Sequence, residues 1–224
     1  MNDVTITALK LQQLSRRCDY TALAPRLQKA CAGNGITAPA EVAAFVATCC
    51  VESQGLTVFA ESLNYTVEAL LAKFGRHRIS EADARRLGRI DGVDARGAKV
   101  VVRKADQQAI ANLVYGGAWG AENLGNTEPG DGWRFRGLGP GQVTGRANMA
   151  ALEKAIGLPL LAHPELLADP AHGFEASARL WKAKRMGQLV YGPPEALRRA
   201  WNGGLNGLAE YKGWLVQTRN ILGA

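Results

Sequence analysis

The segment PAEVAAFVATCCVES, residues 39–53, decides the class of fold. Pro39 supplies the fixed φ of a first helical turn, and Val42, Phe45, Val46 and Cys49 recur at the three-and-four spacing of a buried helical face. Glu52 lies seven residues after Phe45, almost two full turns, so a carboxylate arrives in line with the apolar stripe, and Gly55 is where the helix is expected to stop. A carboxyl at that edge loses hydration on ionising. Its pKa is expected to rise, and it then holds a proton near neutral pH as a general acid must. The bland alternative is a helix-end glutamate that is solvated or paired with an arginine.

Outward from this helix, similar patterns occupy 6–17, 22–35, 66–74, 80–89, 103–115, 146–156, 173–184, 193–201 and 208–222. Period-two strand patterns are scarce. Gly and Pro punctuate the helices at GNG (33–35), EPGDG (128–132), GPP (192–194) and NGGLNG (202–207). Ser80 with Asp83 three residues on resembles a capping box with Asp in place of Glu. No internal repeat, low-complexity tract or linker interrupts the chain. The expectation is a mainly α fold, with residues 1–224 as a single domain, residues 1–38 as a helical extension packed on it, and no separate binding module.

The 224 residues carry 27 Lys and Arg against 20 Asp and Glu, a net charge of +7 that suits a polyanionic partner: nucleic acid, an anionic lipid surface or an anionic bacterial wall. The basic residues form no stripe interleaved with aromatics and match no nucleic-acid motif, so nucleic acid is not an expected partner. No segment has the length to span a bilayer, and the N-terminus lacks the basic and apolar regions of a signal peptide; synthesis in the cytoplasm is expected. Cys18, Cys31, Cys49 and Cys50 show no CxxC spacing, so a zinc site is not expected and buried thiols are.

Two irregular segments carry more chemistry than connectors need. AESLNYT (60–66) places Glu61 beside Ser62, Asn64 and Tyr65; a hydrated, ionised Glu61 is what a base for activating water requires. EPGDGWRFRGLGPGQVTGRANM (128–149) packs five glycines, Trp133, Phe135, Arg134, Arg136, Gln142 and Thr144 between Gly130 and Thr144. If this stretch is extended, Gln142 and Thr144 share one face while Val143 points into the core. They then either hold a water or sugar hydroxyl or satisfy nearby backbone. Trp133 and Tyr115 either stack on sugar rings or fill the core. WNGGLNG (201–207) offers Asn202 as a ligand group, or else a helix C-cap and a turn.

Assembled in order, VESQG through AESLNYT, AIANLVYGG, GDGWRFRGLGPGQVTGRANM, HPELLADP and WNGGLNGL resemble the lysozyme-like branch of glycoside hydrolase family 19, the chitinase-related fold of many phage endolysins. The resemblance implies a mainly α, lysozyme-like two-lobed helical domain with a cleft. It also implies inverting hydrolysis of β-1,4-linked amino sugars without metal or cofactor. Glu52 then matches the general acid and Glu61 the base, with carboxyls standing roughly 6.5–9.5 Å apart to admit a water. Thr144 matches the hydroxyl that holds this water and Gln142 its neighbour. Asn148 and Asn202 match asparagines lining the sugar site, and Tyr65, Trp133 and Arg136 join them as substrate contacts.

Two departures stand out: Val51 where the family often has His, and Leu138 where it commonly has Arg. The short interval between the glutamates points to the bacterial and phage branch rather than to plant chitinases. With the positive charge and the missing secretion signal, it favours bacterial peptidoglycan as substrate. The expectation is a monomeric endolysin with no stable membrane insertion, released to the periplasmic cell wall by a separate pore-former. The alternatives are a chitinase, a non-catalytic cationic wall-binding protein and a degenerate prophage remnant.

Overall fold

The computed structural model describes residues 4–223, so residues 1–3 of the N-terminal extension and residue 224 lie outside the described residues. In chain order the first helices are α1 (Ala8–Leu14), α2 (Tyr20–Gly33), α3 (Pro39–Glu52), α4 (Val67–Lys73) and α5 (Glu81–Leu87). An antiparallel pair follows, β1 (Ile90–Val93) and β2 (Lys99–Arg103). Then come α6 (Gln107–Val114), α7 (Gly117–Leu124), α8 (Asp131–Arg134), α9 (Arg146–Ile156), α10 (Pro170–Ala183), α11 (Pro194–Asn202) and α12 (Leu208–Leu222). The mainly α expectation holds. The chain packs as two units: the first takes the chain up to Phe59, Leu138–Gln142 and Leu152 onward, and the second takes Ala60–Gly137 and Val143–Ala151.

In the first unit, α3 starts at Pro39 as expected, but its environment differs from a one-sided stripe. Every residue from Glu41 to Cys50 is buried, including Ala43, Ala44, Ala47 and Thr48. A helix buried all round keeps its period only where side chains are large, which is why Phe45 and Val46 carried the pattern and the alanines did not. Phe45 packs edge-on against Trp181 at 5.4 Å. Leu11, Leu14, Leu23, Leu27 and Cys31 from α1 and α2 enter the same core as Phe174, Trp181 and Tyr211. Thr7 and Asp19 start these two helices by accepting the N–H groups of Lys10 and Ala22. The four cysteines are free and buried. Burial, reinforced by the charge of Glu41, pushes the Cys31 thiol up to about 12, so it is inert at physiological pH.

The second unit has its own core of Leu63, Leu70, Phe74, Ile79, Leu87, Ile110 and Val114. Thr66, Ser80 and Asp106 cap α4, α5 and α6 with side-chain oxygens. Ser80 accepts the Asp83 N–H at 3.0 Å and donates its hydroxyl to Asp83 Oδ2 at 2.7 Å. The box therefore closes between side chains, because Asp is one methylene short of the Glu that reaches back to the backbone. The β1–β2 ribbon is a correction to the sequence reading: its run KVVVR shows no alternation because both of its faces are open.

Candidate active site

Glu52 is the last residue of α3, and the turn behind it is tightly determined. Gln54, Gly55 and Leu56 all adopt positive φ, at 52°, 75° and 64°. Two non-glycine residues in this region are costly, so the surroundings must hold them. Ser53 Oγ donates to Cys49 O at 2.5 Å and accepts the Leu56 N–H at 3.0 Å, while Gly55 N donates to Cys50 O at 2.7 Å. Ser15 Oγ donates to Gly55 O at 2.6 Å, and a Cβ at Gly55 would lie 3.1 Å from that Oγ. The expected stop at Gly55 is thus a three-residue left-handed turn, residues 54–56, separated from Glu52 by the C-cap Ser53.

The Glu52 side chain is 12% exposed and forms an ion pair with Arg198, which is 4% exposed. Burial pushes the Glu52 carboxyl above the usual carboxylate range, and Arg198 pulls against that shift by charge and hydrogen bond. Glu52 is thus both desolvated and paired with an arginine. Arg198 Nε donates to Asn206 O at 2.6 Å, and the Asn202 amide reaches the same carbonyl at 3.3 Å. Asn202 ends α11, and Gly203 after it is the left-handed cap. Val51, where the resemblance leads one to expect a histidine, packs against the first core.

Gln142 belongs to the first unit, and its φ of 49° corrects the extended reading of GQVTG. With a left-handed residue at 142, the two-residue alternation does not apply. Its amide donates to Gly139 O at 3.2 Å, while Val143 is buried as expected.

In the second unit, Glu61 is half-buried, and hydrogen bonds reach both of its oxygens. Oε1 accepts from the Tyr115 hydroxyl at 2.7 Å and Oε2 from the Gly137 N–H at 3.2 Å, while the Glu61 N–H donates to Gly137 O at 2.8 Å. Burial first, then the charge of Glu61, raises the Tyr115 phenol far above its ordinary value, which fixes it as a donor. Its ring packs edge-on with Phe74 at 6.4 Å, so Tyr115 is a core aromatic whose hydroxyl serves Glu61. Arg78, unremarked in the sequence, lies 5.4 Å from the Tyr115 ring centre and 3.8 Å from that of Trp119. Burial lowers the pKa of both Arg78 and Arg136, and the negative charge of Glu61 opposes this in each case.

Arg136 lies over the Trp133 ring at 3.9 Å and donates from Nη1 to Trp133 O at 3.0 Å, so one face of this tryptophan is already covered. Its buried Nε has no hydrogen-bond partner among the described residues. Tyr65 accepts from Lys73 Nζ at 2.6 Å and packs edge-on against Phe74. Thr144 and Asn148 come together, the Asn148 amide donating to Thr144 O at 2.8 Å. Their segment is pinned by Asp131, which takes Arg146 through both oxygens at 2.6 and 2.7 Å, and by Asn126, which accepts the Arg146 N–H at 2.8 Å. Among the described residues, no group of three or more His, Cys, Asp and Glu side chains could hold a metal ion.

A relative from Haemophilus influenzae (strain ATCC 51907 / DSM 11121 / KW20 / Rd), described as a glycosyl hydrolase family 19 domain-containing protein, is 32% identical over 197 residues. The match covers 85% of this chain and 82% of the relative. The chain belongs to glycoside hydrolase family 19. No family model matches it. Among solved structures, chitinase C from Streptomyces griseus HUT6037 superposes with a TM-score of 0.57 at 19% identity, covering 100% of this chain and 79% of that one. A mutant of chitinase C gives 0.59 at 17% identity, with 99% and 78% covered. A further bacterial family 19 chitinase gives 0.54 at 17% identity, covering 96% and 95%. At these identities the likeness is one of fold, and the family 19 assignment rests on the Haemophilus relative. As a family 19 member the protein is a glycosidase with a helical, lysozyme-like fold.

Proposed function

We propose that this family 19 protein hydrolyses β-1,4 bonds of bacterial peptidoglycan with inversion, Glu52 acting as acid and Glu61 as base. The observation that carries this reading is the contrast between the two carboxyls. Glu52 is desolvated at a helix end with its pKa raised, while Glu61 accepts two hydrogen bonds beside two arginines. In this reading burial favours the protonated form of Glu52, Arg198 opposes it, and the proton passes to the glycosidic oxygen. As that proton leaves, a carboxylate forms next to Arg198, whose charge favours the product side of the transfer. Each Glu61 oxygen keeps a second lone pair, and one of these takes the proton of the attacking water. Thr144 holds that water, and Gln142, Asn148, Asn202, Tyr65, Trp133 and Arg136 contact the glycan.

The net charge of +7 favours the anionic wall over neutral chitin, and the nine-residue interval from Glu52 to Glu61 favours the lysozyme-like branch. In this reading the protein is an endolysin that works as a monomer, without cofactor, and reaches the wall through a separate pore-former. The chitinases among its structural neighbours support the second reading, a chitinase acting on N-acetylglucosamine polymers. Proton NMR of fresh digests decides the mechanism: inversion gives α-anomeric reducing ends, and β-anomeric ends would contradict it. Higher kcat/KM on peptidoglycan glycan than on chitin oligomers is expected; the reverse order would make the protein a chitinase.

A further inference from the structure

The β1–β2 ribbon is unlike the rest of the second unit, because apolar side chains stand open on both of its faces. Pairing of Val93 with Lys99 and of Asp91 with Val101 puts Val93 and Val101 on one face, leaving Val100 and Val102 on the other. Val93 is 70% exposed, Val102 66% and Val101 54%. A lone two-stranded ribbon is marginal in water, and its open edges are a pairing hazard, so such a surface calls for a partner.

The charges around the valines define which partner. Asp91 is engaged by Arg89 at 2.8 and 3.0 Å, and Asp94 accepts the N–H groups of Arg96 and Ala98 at 2.8 and 2.9 Å within the turn. Arg96, Lys99 and Lys104 are exposed and make no ion pair among the described residues. The ribbon thus presents open valines among uncompensated cations. A second copy joined antiparallel through β2, centred on Val101, would set Lys99 opposite Arg103 and repel. A glycan offers hydroxyls and amides, for which valines have no use. A bilayer bearing anionic headgroups satisfies both parts: cations stay at the phosphates while valines enter the acyl boundary.

We propose that the β1–β2 ribbon docks this protein peripherally on anionic phospholipid bilayers. Among the described residues no helix is long and apolar enough to cross a membrane, so the attachment is to the surface. The proposal stands apart from the choice of glycan substrate.

Flotation of the full chain with phosphatidylglycerol-rich vesicles and with pure phosphatidylcholine vesicles tests it. Wild type is expected to float with the first, less so as salt rises, and not with the second. The double variant Arg96→Gln/Lys99→Gln is expected to bind about 30-fold more weakly, from roughly 1 kcal/mol per cation. The triple variant Val93→Thr/Val101→Thr/Val102→Thr keeps the β-branched shape, and its loss is expected to be about 10-fold or more. Both variants should keep the wild-type circular dichroism and melting temperature. Equal flotation with neutral vesicles, flotation with neither, or variants binding like wild type would overturn the proposal. A wild-type dimer that the valine variant dissociates would overturn it for self-association. Loss of retention on insoluble peptidoglycan with vesicle binding unchanged would overturn it for a glycan surface.

Discussion

At Glu52, burial and Arg198 act on one carboxyl in opposite directions. Removing the arginine leaves burial unopposed, so the carboxyl must hold its proton to higher pH. For an acid catalyst the alkaline limb of the rate profile reports loss of that proton. Arg198→Gln is therefore expected to move this limb upward while lowering kcat, because the carboxylate left after proton transfer has lost its counter-charge. A pH profile of kcat checks it, and an unmoved alkaline limb would separate Arg198 from the acid. Glu52 was legible because it extends the period of Phe45 and Cys49. Arg198 was not: in LRRA nothing distinguishes the buried arginine from its neighbour, although Leu197 and Trp201 mark the buried face it joins. Tyr115 drew notice as an aromatic, but its hydroxyl meets Glu61 across 54 residues of chain, a pairing that only folding reveals.

Among the elements, α8 and α9 bracket the segment that carries Arg136, Gln142 and Thr144, and Asp131 joins them through Arg146. Burial pushes the Asp131 carboxyl up, but the Arg146 pair and the backbone N–H groups outweigh it and hold the carboxyl below its ordinary value. A depressed carboxyl contributes stability that is present above the unfolded pKa, about 3.9, and lost as pH falls through the folded value. Asp131→Asn is expected to cost about 2–4 kcal/mol at neutral pH, less than a fully buried pair because Arg146 is partly open, and to flatten the acid limb of stability. Urea melts at neutral and acid pH check both effects; equal losses at the two would remove the pair from the acid response. Sequence periodicity found the helices whose buried faces carry large side chains. It missed α7, whose GAWGAENL is rich in glycine, and the ribbon, where exposure on both faces erases alternation.

For the whole molecule, the family was legible from the order of its motifs, none of them decisive singly, and the Haemophilus relative, 32% identical over 197 residues, shows that family. Periodicity did not reveal the division into two packed units, because the chain passes between them at Phe59, Gly137, Gln142 and Ala151 without a linker composition. Glu52 belongs to the first unit and Glu61 to the second. The most direct test of the proposed chemistry is digestion of purified Gram-negative peptidoglycan by wild type and by Glu52→Gln, counting new reducing ends and identifying each cut sugar by mass spectrometry. Wild type is expected to release reducing ends, and Glu52→Gln about 10²–10⁴-fold fewer with glycan binding kept. Reducing ends released equally by both proteins, or by neither, would contradict the assignment of Glu52 as the acid of a peptidoglycan hydrolase.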